Sequence, residues 1–189
     1  MKSIFVTTGA TVTFKELIEL TLDKKFISII QGLGYQKIVI QYGSQQDGVT
    51  LFTQGLKSLD SKFISHDLGA NNGVIVAELT SGFKIEGFAF TTDIKTLMLN
   101  SDLIISHAGT GSILDSLRLQ KPLIVVVNTK LMNNHQIEIT DELIKGNYLL
   151  GCAAKLDELI SNVKLINQVK LNALPQPNTN VIDQIIQQV

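Results

Sequence analysis

Short apolar runs of strand length alternate with helical patterns along this sequence, and this alternation constrains the fold more than any other feature. Four runs rich in aliphatic and β-branched residues read SIFVT, KIVIQ, LIIS and LIVVV. Strands that are apolar on both faces are typical of parallel sheets covered by helices on each side. Between these runs, apolar residues recur at the helical spacing. The sequence therefore predicts a doubly wound α/β domain with a mostly parallel sheet.

The same patterns predict the individual elements. Strands are expected at residues 3–7, 37–41, 74–79, 83–90, 103–106, 123–127 and 148–150. Helices are expected at residues 14–33, as one helix or a broken pair, and at 51–59, 93–100, 113–119, 135–145 and 155–166. Residues 45–82 are the least regular part of this pattern, and we treat them as a variable segment within a domain that spans residues 1–165.

Composition excludes several classes of protein. The chain has 189 residues, of which 44% are hydrophobic and 17% charged, so it can bury a core as about one domain. A net charge of −1 gives no basic field, and nucleic-acid binding is not expected. The single cysteine, Cys152, excludes an intramolecular disulfide and a cysteine-based metal cluster. No metal site is expected from the three dispersed histidines either.

The strongest local signal is the sequence SHAGTGS at residues 106–112, between a predicted strand and a predicted helix. Glycines let backbone N–H groups approach a ligand closely. The first turn of a helix adds unpaired N–H groups and the positive end of its dipole. These features together favour a diphosphate, and Thr110 and Ser112 add hydroxyl donors. The alternative is a tight turn without a ligand, and the pattern is neither a G-x-G-x-x-G nor a Walker sequence.

Three further polar groups accompany this motif. Asp115 lies four residues after Gly111, so it shares a helix face with the loop and could bind ribose hydroxyls; otherwise it is a surface residue. The first βα turn reads TTGAT, and NNHQIE opens the helix after LIVVV. Asn134 could also simply cap that helix. Because these loops follow parallel strands, we expect them at one edge of the sheet.

The carboxy-terminal segment differs from the rest of the chain. Residues 166–180 are interpreted as a linker, and they hold two of the three prolines. Residues 181–189 are a candidate short helix, and a helix of this length is unstable alone. We expect it to pack on its own domain or on a partner through one apolar face, formed by Val181, Ile182, Ile185, Ile186 and Val189.

Residues 104–139 also carry a resemblance to a known family. The stretch ISHAGTGSILDSLRLQKPLIVVVN, followed by LMNNHQIEI, resembles the catalytic subunits of the eukaryotic UDP-N-acetylglucosamine transferase that makes dolichyl-diphosphate chitobiose. FVTTGATVTFKELI at residues 5–18 matches the start of that family. The family is similar to the donor-binding, carboxy-terminal half of the bacterial lipid-linked N-acetylglucosaminyltransferase of peptidoglycan synthesis. The resemblance implies a Rossmann-like domain equivalent to the carboxy-terminal half of a GT-B glycosyltransferase.

The resemblance implies roles for particular residues. The loops at residues 8–11 and 107–112 would hold the diphosphate of UDP, Asp115 the ribose, and His135 and Gln136 the donor sugar. Many relatives have Glu in place of Asp115. The full set expected to bind the donor is Thr8, Gly9, Ala10, Thr11, Gly109, Thr110, Gly111, Ser112, Asp115, Asn134, His135, Gln136 and Glu138.

From this resemblance we expect a UDP-GlcNAc-dependent transferase subunit without a metal or other cofactor. It would transfer GlcNAc with inversion to the GlcNAc of dolichyl diphosphate. A membrane-anchored partner at the cytosolic face of the endoplasmic reticulum would hold that acceptor. The general base is expected in the partner or at the interface; His107 is the best local candidate for it, and a structural histidine is the favoured interpretation of that residue. The alternatives are a transferase with another donor or acceptor, a non-catalytic regulatory subunit that binds a nucleotide sugar, and a domain that binds NAD or ATP.

Overall fold

A computed structural model describes residues 1–9, 12–59, 61–66, 73–127 and 134–174, with the backbone alone for 61–66 and 134–137. These residues form eight strands: β1 Ser3–Thr7, β2 Lys37–Gln41, β3 Ser61–His66, β4 Ile75–Leu79, β5 Lys84–Phe88, β6 Leu103–His107, β7 Leu123–Val127 and β8 Leu150–Ala153. They also form seven helices: α1 Lys15–Thr21, α2 Lys24–Gly32, α3 Gln46–Ser58, α4 Ile94–Leu99, α5 Thr110–Arg118, α6 Asn134–Lys145 and α7 Leu156–Leu165.

All eight strands belong to one sheet, in the order β3-β4-β5-β2-β1-β6-β7-β8. Each pair of neighbours among β5, β2, β1, β6, β7 and β8 is parallel. Strand β4 pairs antiparallel with both β3 and β5. The strand order reverses between β1 and β6, which pair directly. In doubly wound sheets the crevice for a ligand opens at this reversal, outside the carboxyl ends of the strands. The predicted fold class is confirmed.

The two faces of the sheet pack into two core layers. In β1, Ile4 and Val6 point into the larger layer, and Phe5 points into the smaller one. The larger layer receives buried side chains from α1, α2, α3 and α7. The smaller layer receives them mainly from α4 and α5, with Leu143 of α6 at its margin. Burial on both sides explains why these strands read as continuous apolar runs.

The predicted helix over residues 14–33 is a broken pair. Asp23 separates α1 from α2, and its carboxylate accepts hydrogen bonds from the N–H groups of Lys25 (2.8 Å) and Phe26 (3.2 Å). Such a cap satisfies donors that the first turn of a helix leaves unpaired. The apolar spacing alone would allow one continuous helix, but the cap formed by the Asp23 side chain starts a second helix.

Several boundaries differ from the sequence predictions. Helix α5 begins at Thr110 and not at 113, so residues 110–112 form its first turn. Strand β3 was not predicted, and it adds an antiparallel pair within the variable segment. Strand β8 starts at Leu150, because Asn147 adopts a φ of +56° and the N–H of Tyr148 closes the end of α6 on Leu143 O at 3.0 Å.

The apolar face predicted within residues 181–189 lies outside the described residues. Of the segment interpreted as a linker, residues 166–174 are described, and they remain in contact with the domain. Ile166 is buried, and Asn172 donates its backbone N–H to Asn147 O at 2.8 Å. In the described part of the chain, no helix combines the length and the apolar character needed to cross a membrane.

We expect a replacement of Gly87 by alanine to destabilise the fold. A Cβ added at Gly87 in β5 would collide with the ring of Phe52, which packs from α3 and is fully buried. Overpacking of this kind costs about 1–3 kcal/mol. Urea denaturation of Gly87→Ala should show that loss in the free energy of unfolding. The matched control is Gly32→Ala in α2, where nothing lies within 4 Å of the added atom; it should be neutral or slightly stabilising. Equal midpoints for both variants would contradict the packing of α3 described here.

Candidate functional site

The loops that follow β1 and β6 meet at the point where the strand order reverses. A pocket of about 260 Å³ opens between them at the carboxyl edge of the sheet. The loop after β5 supplies its third side. Ten described residues line the pocket: Thr7, Gly9, Gln41, Phe90, Thr91, Ile94, His107, Gly109, Gly111 and Ser112. Four of the residues predicted to bind the donor are among them, namely Gly9, Gly109, Gly111 and Ser112.

Gln41 at the end of β2 fixes the start of the β1 loop. Its side-chain oxygen accepts a hydrogen bond from the Thr7 hydroxyl at 2.8 Å. Its backbone carbonyl accepts from both the hydroxyl (2.9 Å) and the N–H (3.2 Å) of Thr8. All three residues are buried. The hydroxyl of Thr8, which was predicted to bind the donor, is therefore engaged with Gln41, and the loop reaches Gly9 in a defined position.

The ring of His107 lies between the two glycines of these loops. A Cβ on Gly9 would stand 3.0 Å from Nε2 of His107, and a Cβ on Gly109 would collide with the same atom. Gly9 also has a φ of +90°, a region that side chains disfavour. Both loops can approach each other around the imidazole because neither carries a side chain at these positions.

His107 is held as a neutral imidazole. Its Nδ1 lies 3.2 Å from the carbonyl oxygen of Thr7. A carbonyl can only accept, so Nδ1 carries the proton and donates it, which leaves Nε2 as an acceptor. Burial lowers the pKa of His107 below its ordinary value, although the hydrogen bond to Thr7 opposes this effect. The side chain is consequently uncharged at neutral pH.

The first turn of α5 presents backbone donors at the pocket. The first helical hydrogen bond runs from the N–H of Ile113 to Gly109 O at 3.0 Å, so the N–H groups of residues 110–112 precede it. The first turn contains no acidic residue. Gly111 and Ser112 line the pocket. Unpaired N–H groups and the positive end of the helix dipole make this turn suited to an anion.

Other predicted site residues lie away from this pocket or outside the described residues. Asp115 is one turn beyond Gly111 on α5, with about half of its side chain exposed and its carboxylate 4.0 Å from Arg118. Glu138 on α6 is exposed. The backbone of α6 begins at Asn134, and β7 precedes it in the chain. Ala10, Thr11 and the side chains of Asn134, His135 and Gln136 lie outside the described residues.

Sequence reasoning missed the contribution of the β5 loop. Phe90 lines the pocket and is 46% exposed. Thr91 follows it, and its hydroxyl accepts a hydrogen bond from the N–H of Asp93 at 3.1 Å. An exposed aromatic face can stack on a flat ring such as a nucleobase. The available signal was the sequence FTT at residues 90–92, at the end of the strand predicted over residues 83–90 and at the same edge of the sheet.

The pocket combines backbone N–H groups, hydroxyls and one aromatic face, and none of its ten lining residues is cationic. Within the described residues, no group of three His, Cys, Asp or Glu side chains is placed to hold a metal ion. Charge of a bound anion would therefore be balanced here by oriented peptide dipoles. This arrangement is suited to a nucleoside diphosphate whose base lies on the Phe90 side and whose phosphates lie at α5.

Comparisons with known proteins show the family of this chain. The glycosyltransferase family 28 C-terminal domain matches residues 3–189. The UDP-N-acetylglucosamine transferase subunit ALG13 of Debaryomyces hansenii is 38% identical over 211 residues, with coverage of 98% of this chain and 97% of that protein.

Solved structures give the same result. A solution NMR structure of ALG13 has a TM-score of 0.73 and 34% identity, with coverage of 97% of this chain and 94% of that chain. A crystal structure of MurG from Acinetobacter baumannii has a TM-score of 0.60 over all of this chain and 50% of that chain. At 18% identity that second likeness shows the fold alone. The chain therefore belongs to glycosyltransferase family 28, among the ALG13 subunits of UDP-N-acetylglucosamine transferase.

Proposed function

We propose that this chain is the donor-binding subunit of a transferase that moves GlcNAc from UDP-GlcNAc, with inversion, to the GlcNAc of dolichyl diphosphate. The observation that carries the proposal is the first turn of α5, whose free N–H groups border a pocket at the strand reversal of an ALG13-family chain. That turn is placed to hold the diphosphate. The same contacts strengthen as UDP departs, because negative charge then builds up on the phosphate oxygen.

The rest of the donor is assigned by its chemistry. The uracil ring stacks on the exposed face of Phe90, and Asp115 binds the ribose hydroxyls from the exposed face of α5. The sugar lies toward the start of α6, where Asn134, His135, Gln136 and Glu138 offer amide, imidazole and carboxylate groups. No metal is required, since the peptide dipoles in the first turn of α5 take the place of a cation.

A second subunit completes the enzyme. The likeness to MurG covers all of this chain and half of that one, which supports an equivalence to one lobe of a two-lobed fold. The missing lobe would hold the acceptor and attach the complex to the cytosolic face of the endoplasmic reticulum membrane. The apolar face at Val181, Ile182, Ile185, Ile186 and Val189 is the proposed contact for that partner. The general base would then come from the partner or from the interface.

The direct test is transfer of radiolabelled GlcNAc from UDP-GlcNAc to a lipid-diphosphate GlcNAc acceptor. The chain is assayed alone and with membranes that carry the partner subunit, and unlabelled UDP-GalNAc, UDP-glucose, NAD and ATP serve as competitors. We expect transfer only in the combination, with UDP-GlcNAc as the best competitor. Transfer by the chain alone would contradict the division into two subunits. Binding of the partner without transfer would favour a regulatory subunit.

The tail is tested in the same assay. Ile182→Asp and Ile185→Asp together should abolish both co-purification with the partner and transfer, because charges on an apolar face oppose its burial. The matched control, Gln184→Asp with Gln188→Asp, adds the same charge outside that face and should retain both. Loss of partner binding in the control as well would contradict the assignment of this face.

We expect Gly111→Leu to block donor binding without destabilising the domain. Nothing lies within 4 Å of a Cβ added at Gly111, so the fold accepts a side chain there. Leucine also favours a helix over glycine by up to about 1 kcal/mol. The added side chain would nevertheless fill the space above the first turn of α5. Calorimetric titration with UDP should show at least a tenfold loss of affinity, by the occlusion of backbone donors worth about 1.5–3 kcal/mol each toward an anion.

Gly32→Leu is the matched control for this variant. It is a second helical glycine with open space, at the end of α2 and away from the pocket. It should bind UDP as the wild type does. Unchanged UDP affinity in Gly111→Leu would show that the diphosphate binds elsewhere.

A further inference from the structure

We propose that His107 is a positioning residue that joins the β1 loop to the β6 loop through its Nδ1–H and sets the spacing at which they receive a diphosphate. This inference rests on the proposed function, since the two loops are those assigned to the diphosphate. It gives His107 a role other than that of the general base considered from the sequence.

The first observation is where the hydrogen bond lies. The last paired residues of β1 and β6 are Thr7 and Ser106, and His107 follows at the end of β6. Its side chain returns across to β1 and donates to Thr7 O at 3.2 Å. This side-chain hydrogen bond therefore joins β1 and β6 one residue beyond their last backbone pair, where the two chains diverge into loops.

The second observation is the nature of Gly109. Its φ of −77° and ψ of 122° are ordinary for any residue, so its backbone does not call for glycine. What a side chain would meet there is Nε2 of His107. The absence of a Cβ at Gly109 is thus explained by the position of the imidazole. Gly9 faces the same atom from the other loop, at 3.0 Å from where its Cβ would be.

The third observation concerns what each ring nitrogen can do. Nδ1 is already committed to Thr7, and Nε2 lies between the two glycines. Nδ1–H can donate to the Thr7 carbonyl in either protonation state of the ring, so this link does not depend on the charge of His107. The ring thus acts as a spacer held in one orientation by a single hydrogen bond. Its removal would allow the loops to separate and would weaken the diphosphate contacts without removing any group that reacts.

Replacement of His107 by asparagine or by glutamine distinguishes the positioning role from its alternatives. The amide nitrogen of Asn occupies the place of Nδ1, whereas that of Gln occupies the place of Nε2. We expect His107→Asn to bind UDP within about twofold of the wild type. His107→Gln and His107→Ala should lose about five- to tenfold in affinity, the value of one hydrogen bond. In the reconstituted complex, KM for UDP-GlcNAc should rise with these losses, and kcat should fall by less than about tenfold in all three variants, since the diphosphate contacts also act in the transition state.

The same variants would expose a different role. A general base would be lost in Asn and Gln alike, with kcat lower by a factor of about 10² or more and the acid limb of the pH–rate profile removed. A direct contact of Nε2 with the phosphates would be retained by Gln and lost by Asn. Either result would overturn the positioning role. A thermal unfolding curve for each variant identifies any loss that is due to unfolding instead.

A double-mutant cycle tests the link to Gly109 independently. Gly109→Ala alone should weaken UDP binding about tenfold, because its methyl group displaces the ring. In the His107→Ala background the same change should cost less than twofold, since the ring is no longer there to be displaced. Additive losses would contradict the proposal.

One readout needs no ligand. In the free chain, amide hydrogen exchange at Gly9 and Gly109, whose N–H groups donate to Thr7 Oγ1 and His107 O, should become faster in His107→Gln and stay near the wild-type rates in His107→Asn. A wild-type chain that binds neither UDP nor UDP-GlcNAc would refute the proposed function, while the exchange rates of the two glycines would still decide whether His107 joins the loops. Unchanged exchange rates in His107→Gln would overturn the positioning role.

Discussion

The parallel pairing of β1 with β6 is the constraint on which the site depends. At this pair the connections leave the sheet in opposite directions and diverge, because β1 leads toward β2 and β6 leads toward β7. A crevice opens between the diverging loops as a result of the topology. Gln41 then fixes the β1 loop from the neighbouring strand, and His107 spans the gap from the β6 side. The pocket is therefore formed by backbone whose course is set by buried strands.

This origin explains the chemistry of the pocket. The pocket is formed from the first turn of a helix and from turns that contain glycine. It therefore offers backbone hydrogen-bond donors but few titratable side chains. The single ionisable residue along its lining, His107, is kept neutral by burial. In the proposed reaction, fixed dipoles that need no reorganisation would stabilise the departing diphosphate. Under the same proposal, acceptor binding and deprotonation would fall to another polypeptide, and this chain would hold the donor.

The strands of the parallel sheet and the motif at residues 106–112 could be predicted from sequence, because apolar runs and glycine turns are local signals. Helix α5 begins at Thr110, three residues before the predicted start at 113, because the glycine and serine of its first turn are typical of a loop. Strand β3 was missed because SKFISH at a sheet edge lacks both a continuous apolar run and a clear alternation. Gln41 and Phe90 were missed for another reason: their importance arises from neighbouring strands and not from their own sequence context.

The glycine lining of the pocket has a consequence for its genetics. Donors that belong to the peptide backbone cannot be deleted by truncating side chains, so an alanine scan of polar residues would pass over much of the diphosphate site. Inactivating changes in this region would instead be those that add atoms, at Gly9, Gly109 and Gly111. A missense allele at Gly111, where an added Cβ meets nothing within 4 Å, would impair function in a protein that accumulates at normal levels, whereas alleles in the core would reduce its abundance.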